Sequence, residues 1–143
     1  MNFLAKFFKK KIMPRHLIVA LSVASISMGA LAGDILPIKR GYYVTSDTPC
    51  GNASTATLSL FSGSSMDGCK VLSNKKVNDS TYSIKSKCNE RGETFTIADT
   101  YTIISSTEYK RVNANVSSQS RYCTQSQLPE PWNKNDIRSI LGN

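Results

Sequence analysis

Polar and apolar residues alternate along the segment from Thr81 to Cys88, and this period of two is typical of a β-strand. The even-numbered positions, from Tyr82 to Cys88, fall on one side of such a strand, and the odd-numbered positions, which include Lys85 and Lys87, fall on the other. A strand of this kind buries one side and exposes the other to water. The segment therefore predicts a sheet that covers a core on one of its faces.

Short runs of the same kind recur along the chain, with polar turns between them. The predicted strands are 41–45, 56–61, 69–73, 81–88, 93–97, 100–105, 108–112 and 120–123. Phe95 and Ile97 are predicted to point inward, and Ala98-Asp99 is predicted to form a tight turn. Residues 135–141 predict a short C-terminal helix. The predicted fold class is all-β, a small antiparallel sandwich or barrel of about 7–8 short strands.

The first 32 residues have the pattern of a cleaved export signal. Basic residues precede an apolar run of about 15 residues, which is shorter than the roughly 20 that a membrane-spanning helix needs. A small-x-small site at Ala30 to Ala32 follows, and the next residue is Gly33 rather than the cysteine of a lipoprotein. Either Met1 or Met13 could be the true start. We predict cleavage after Ala32, one exported β-domain at 33–143, a periplasmic or secreted location and no membrane anchor.

The charge and the single histidine exclude several function classes. The net charge of +8 includes five basic residues in the first 32, so 13 basic and ten acidic residues remain, which is a balance of only +3. A nucleic-acid partner is therefore not predicted. The only histidine, His16, also lies in the first 32 residues. Without it, histidine-dependent triads and the usual catalytic metal ligands are excluded, so we predict no enzyme activity, no cofactor and no metal site.

The four cysteines are Cys50, Cys69, Cys88 and Cys123. An even number in a small exported domain predicts two disulfides. Four cysteines allow three pairings, and we favour Cys50–Cys69 with Cys88–Cys123 because near neighbours close the shorter loops. The absence of a C-x-x-C pair argues against a zinc site or a redox-active dithiol.

Two residue pairs resemble catalytic arrangements. Ser73 and Lys76 match the S-x-x-K pattern of serine–lysine hydrolases, but no K-T-G partner motif exists and the pair is predicted in a polar turn. Glu90 and Glu93 could act as paired carboxylates, but they are predicted in or beside a hairpin loop at 89–92, without an apolar wall. We interpret the first pair as a chance match and the second as turn solvation.

A basic surface is the first candidate binding site. Lys85 and Lys87 share one side of a predicted strand, and Lys75, Lys76 and Arg91 are predicted in flanking loops. Together they could contact an anionic partner. The alternative is a solvated strand face whose lysines discourage aggregation.

Trp132, the only tryptophan, is the second candidate. Pro129 and Pro131 hold the segment before it extended. Trp132 is either an exposed anchor for a partner or an apolar plug that packs on the β-core beside Cys123. We favour the structural interpretation.

The leading functional hypothesis is a soluble, non-enzymatic module that binds an extracytoplasmic protein, of the inhibitor, immunity or envelope-accessory type. The alternative is a binder of an anionic cell-envelope polymer, and a Ser73–Lys76 hydrolase is the least favoured. In size, export signal and cysteine content the chain resembles the small periplasmic lysozyme inhibitors, which are compact β-domains. The resemblance carries over no site residue, and the balance of +3 argues against a basic enzyme as the target.

Overall fold

The computed structural model describes residues 33–114 and 116–142, so the predicted export signal lies outside the described residues. Seven antiparallel strands form one sheet that curls into a half-barrel, in the order β2-β1-β7-β6-β5-β4-β3. The elements are β1 (Gly41–Thr45), β2 (Leu58–Phe61), β3 (Lys70–Lys76), β4 (Thr81–Glu90), β5 (Glu93–Ser105), β6 (Glu108–Asn113), β7 (Val116–Cys123) and the helix α1 (Arg138–Leu141). The predicted all-β fold with a short C-terminal helix is confirmed.

One face of the sheet, called the inner face below, is covered by the chain segment that precedes β1. Ile35 donates its backbone N–H to the carbonyl of Gly63 at 2.7 Å and accepts a hydrogen bond from Asn74 Nδ2 at 2.7 Å. These bonds hold the segment across the sheet, where Leu36 is fully buried. The inner core consists of Leu36, Ile38, Tyr43, Phe61, Met66, Ile84, Tyr101 and Tyr109.

The opposite, outer face carries a second core, but only at the β1 and β7 end of the sheet. The chain after β7 folds back over this end and contributes Leu128 and Ile137. Strand β1 is therefore buried on both faces, which explains its unbroken apolar run from Tyr42 to Val44. The outer core consists of Tyr42, Val44, Ala53, Cys123, Leu128 and Ile137.

Strand β5 differs from the prediction, because it runs without interruption through the expected turn at Ala98-Asp99. Asp99 pairs with Ile84 of β4 on one side and with Asn113 of β6 on the other. This pairing on both sides overrides the local preference of Asp for turns. Phe95 does lie on the inner side opposite Cys88, but it is 41% exposed, because the pairing of β5 with β6 begins only at Asp99.

The β4–β5 connection is a two-residue hairpin turn at Arg91 and Gly92. Both residues have positive φ, 53° and 87°, as a type I′ turn requires. The strands reach the turn at Glu90 and Glu93, which are direct cross-strand partners. The predicted loop 89–92 is thus shorter than expected.

The predicted disulfide pairing is wrong. Cys50 bonds to Cys123 with an S–S distance of 2.01 Å, and Cys69 bonds to Cys88 at 2.07 Å. The strand order explains the difference, since β7 lies beside β1 and β4 lies beside β3. Loop length favours the predicted pairing, whose separations are 19 and 35 residues, over the observed one with 73 and 19, so the strand order overrides it.

The two disulfides are consistent with an oxidising, extracytoplasmic compartment. Within residues 33–114 and 116–142, no helix has the length and apolar character needed to span a bilayer.

Candidate functional site

Four exposed lysines share the outer side of strands β3 and β4, and this set is called the lysine face below. Lys70 pairs with Lys87 across the two strands, Lys85 pairs with Ser73, and Lys75 pairs with Ser83, so their side chains project from the same face. In the described part of the chain, none of the four forms an ion pair. The lysine face consists of Lys70, Lys75, Lys85 and Lys87.

The surroundings of the lysine face are polar but contain no acidic group. The outward residues of β5 next to it are mainly threonines, and no Asp or Glu of β3, β4 or β5 points to this side. A depression of about 550 Å³ lies on this face, lined by Lys70, Lys87 and Asn89 and by the 48% exposed Leu72. The lysine face thus combines uncompensated positive charge with a small apolar contact.

A β-bulge decides which lysines belong to this face. The pairing of β3 with β4 shifts between Val71 and Ser73, which leaves Leu72 as the extra residue. Because of this shift, Lys70 and Lys75 share a face although their numbers differ in parity. The sequence pattern missed Lys70 for this reason.

Two residues predicted for the basic surface do not lie on the lysine face. Lys75 and Lys76 are in strand β3 rather than in a loop, so their side chains point to opposite sides. Lys76 Nζ lies 3.7 Å from the Asp79 carboxylate. Arg91 lies in the hairpin turn at the end of β4.

The two catalytic-looking pairs are not assembled as active sites. Ser73 and Lys76 are three residues apart in a strand, which places their side chains on opposite faces of the sheet. Glu90 and Glu93 do face each other, but both are exposed at the tip of the hairpin. That is the solvated position the sequence predicts for them.

A buried ion pair lies on the inner face, which the sequence did not predict. Asp99 is only 4% exposed, and its carboxylate lies 3.0 Å from Arg111 Nη2 and accepts a hydrogen bond from Asn113 Nδ2 at 2.7 Å. Tyr101 donates its hydroxyl to the same carboxylate at 3.4 Å, and burial raises the pKa of Tyr101. Burial opposes the charge of Arg111, but Tyr101 and Asp99 outweigh it and raise its pKa. The pair is a cross-strand ion pair that links β5 to β6.

Trp132 forms one wall of a groove beside the edge strand β2, called the Trp132 groove below. Trp132 is partly buried and packs against the outer core, which includes Cys123. Trp132 thus packs on the core, as the structural interpretation expects. The groove has a volume of about 350 Å³ and is lined by Tyr42, Thr55, Leu58, Ser59, Leu60, Asp67, Trp132 and Asn135.

The polar groups of the Trp132 groove are fixed in place by hydrogen bonds. Asn135 Nδ2 donates to the Tyr42 hydroxyl at 3.1 Å. Asp67 Oδ1 accepts from the Leu60 backbone N–H at 2.8 Å, and the Asp67 N–H returns a bond to the Leu60 carbonyl. The Asp67 residue is exposed as a whole, but burial of its carboxyl against the sheet edge raises its pKa. No basic side chain lines this groove.

We expect an Asp67→Asn substitution to stabilise the fold more at pH 7 than at pH 3. The raised pKa of Asp67 means that its ionised form is disfavoured in the folded state. At a pH below the pKa of Asp67 in the unfolded chain, the side chain is protonated in both states and does not affect stability. As the pH rises through the higher pKa of the folded state, the unsubstituted protein loses stability. Asn also tolerates the positive φ of 55° at this position. Thermal unfolding midpoints of both proteins at the two pH values test this.

The matched control for the loss of one carboxylate is Asp79→Asn at an exposed loop position. A stability difference between Asp67→Asn and the unsubstituted protein that is the same at both pH values would contradict the assignment.

The fold and these surfaces define a disulfide-bonded, all-β half-barrel domain with an exposed lysine face. No family model matches the chain, and no match to it was found among curated proteins or solved structures.

Proposed function

We propose that the protein is a non-enzymatic binding module that engages an acidic polymer of the cell envelope through its lysine face. The observation that carries this proposal is the set of four exposed lysines on a face of β3 and β4 that has no acidic side chain. Charges of one sign on one surface raise the local potential and attract an oppositely charged partner.

The spacing of the lysine face suits an extended polymer. Cross-strand neighbours such as Lys70 and Lys87 are attached to strands about 5 Å apart, and Lys85 and Lys87 lie about 7 Å apart along one strand. Each ammonium group sits on a flexible stem and can adjust to the next anionic group of a linear chain. The face therefore suits repeated, weak contacts with a polyanion better than one rigid ligand.

The proposed location is the periplasm or the exterior of the cell. The two disulfides support an oxidising compartment, and the first 32 residues have the pattern of an export signal with cleavage after Ala32. An acidic envelope polymer would be within reach of a protein exported in this way.

The alternative of a protein partner relies on Trp132 as an exposed anchor. Hot-spot tryptophans project from a surface into a pocket of the partner. Trp132 instead packs on the outer core of its own domain, which supports the polymer hypothesis over the protein hypothesis.

The oxidised protein is expected to bind polygalacturonate, a linear polycarboxylate, and not neutral dextran. Because exposed charges are screened by salt, the affinity should fall about tenfold or more between 50 and 200 mM salt. A Lys85→Glu/Lys87→Glu variant should lose most of this affinity and most of its salt dependence. It should still fold, since it replaces the like-charged neighbours Lys70 and Lys87 with an opposite pair.

The control variant is Lys134→Glu/Arg138→Glu, which changes the net charge equally on exposed side chains of the C-terminal segment. Isothermal titration calorimetry at the two salt concentrations measures both variants. Equal weakening in both variants, or no binding of the polycarboxylate at 50 mM salt, would refute the proposal. Salt-insensitive capture of one protein from envelope extract would support the protein-partner hypothesis instead.

A further inference from the structure

We infer that the Trp132 groove is a second binding site, and that its ligand is a neutral sugar ring. The site lies beside the edge strand β2, at the opposite end of the strand order from β3 and β4, although its Asp67 is only three residues before Lys70 of the lysine face. The inference is independent of the proposed polymer binding. Its basis is the combination of an aromatic wall, a short apolar floor and several fixed hydrogen-bonding groups.

The apolar part of the groove matches one face of a sugar ring. Leu58 and Leu60 project from β2 to the outer side, because they pair with Val44 and Tyr42 of β1. Trp132 stands beside them as a partly buried wall. The C–H groups of a pyranose form an apolar face that packs against an indole, and burying that face removes apolar surface from water.

The polar part of the groove matches the hydroxyl groups at the edge of the same ring. Asp67 Oδ1 is held by the Leu60 N–H, so the carboxylate is oriented before a ligand arrives. Asn135 is oriented by its bond to the Tyr42 hydroxyl. Thr55 adds a hydroxyl group on the exposed rim. Fixed donors and acceptors of this kind lower the entropy lost on binding.

The charge and size of the groove favour a neutral ligand of one or two sugar rings. A single carboxyl, Asp67, is the only ionisable acid in the lining, and no lysine or arginine is present to attract an anion. One carboxylate among several neutral hydrogen-bonding groups suits hydroxyl contacts better than a strong ionic contact. A volume of about 350 Å³ is at the small end of known ligand pockets. A cationic amine that uses Trp132 and Asp67 is the competing ligand class.

Ligand binding at this site can be followed by tryptophan fluorescence, because Trp132 is the only tryptophan in the chain. The probes are methyl β-glucopyranoside, methyl β-galactopyranoside and N-acetylglucosamine, with choline chloride as the cationic probe. At least one sugar is expected to shift the Trp132 fluorescence in a saturable way, with a dissociation constant of about 1 mM or weaker. The shift should be the same at low and high salt, since the ligand is uncharged.

The Asp67→Asn variant should bind the sugar about tenfold less tightly, because a hydrogen bond to an ionised group is replaced by a neutral one. Thr55→Val is a second test at an exposed position and should also weaken binding. The matched controls are Asp47→Asn, at an exposed position outside the groove, and the Lys85→Glu/Lys87→Glu variant. Both controls should bind the sugar normally.

A second measurement follows the Leu60 backbone amide by NMR. Because this amide donates to Asp67, its chemical shift should change when a sugar contacts the Asp67 carboxylate. The inference is overturned if no sugar gives a saturable shift up to about 100 mM, a concentration that even weak sites respond to. It is also overturned if only choline saturates the signal in a salt-dependent way, or if Asp47→Asn weakens sugar binding as much as Asp67→Asn.

Discussion

Removing the Cys50–Cys123 disulfide with a Cys50→Ala/Cys123→Ala variant is expected to lower the free energy of unfolding by about 4 kcal/mol. The bond spans 73 residues and joins the chain after β1 to the end of β7. A bond across so long a loop strongly restricts the unfolded chain. Cys123 is also 1% exposed within the outer core, so its loss opens that core. Urea unfolding of the oxidised proteins measures the change.

The internal comparison is a Cys69→Ala/Cys88→Ala variant. That bond spans only 19 residues, so its removal should lower the free energy of unfolding by less, about 3 kcal/mol. Equal or inverted effects would contradict the loop-length account. Mass spectrometry of proteolytic fragments without reduction tests the pairing itself, and a fragment in which Cys50 is bonded to Cys69 would refute the structure at this point.

An Asp99→Ala substitution is expected to lower the free energy of unfolding by about 3 kcal/mol. It removes the carboxylate that neutralises Arg111 inside the inner face and leaves the Asn113 amide and the Tyr101 hydroxyl without their shared acceptor. Because Arg111 retains 28% side-chain exposure, water compensates for part of the loss, and the effect lies at the low end for a buried pair. Urea unfolding at constant pH measures it.

A double variant separates the ion pair from the space it fills. Replacing both partners, in Asp99→Leu/Arg111→Met, should restore most of the lost stability, because no buried charge is left unpaired. Asp136→Ala breaks an ion pair whose two side chains are 63% and 83% exposed, and it should change the unfolding midpoint very little. A double variant as unstable as Asp99→Ala would show that the charges are not the cause.

The sequence predicted the buried positions best in strands that have one side facing the core and the other side facing water. Along β4 the alternation gave the correct buried positions, since Ile84, Ser86 and Cys88 are buried between exposed neighbours. Strand β1 was also located correctly, because the run from Tyr42 to Val44 is apolar at every position. These signals come from residues close together in the chain, so they can be read without knowing the tertiary structure.

The candidate sites were predicted only in part. Lys75, Lys85 and Lys87 were identified and do share a face, but the bulge at Leu72 that adds Lys70 leaves no mark in the periodicity. Trp132 was predicted to pack on the core, whereas the groove beside it could not be foreseen. Its wall and its acidic group lie 65 positions apart in the chain, at Trp132 and Asp67.

By itself the sequence determined the all-β class, the number of disulfides, the absence of histidine after position 16 and the alternation that directs Lys85 and Lys87 outward. Only the tertiary structure decided the disulfide partners, the buried Asp99–Arg111 pair and the membership of the lysine face. The physical reason is the strand order. Alternation and charge are properties of neighbouring residues, whereas the placement of β7 beside β1 is a choice among pairings that local preferences do not distinguish.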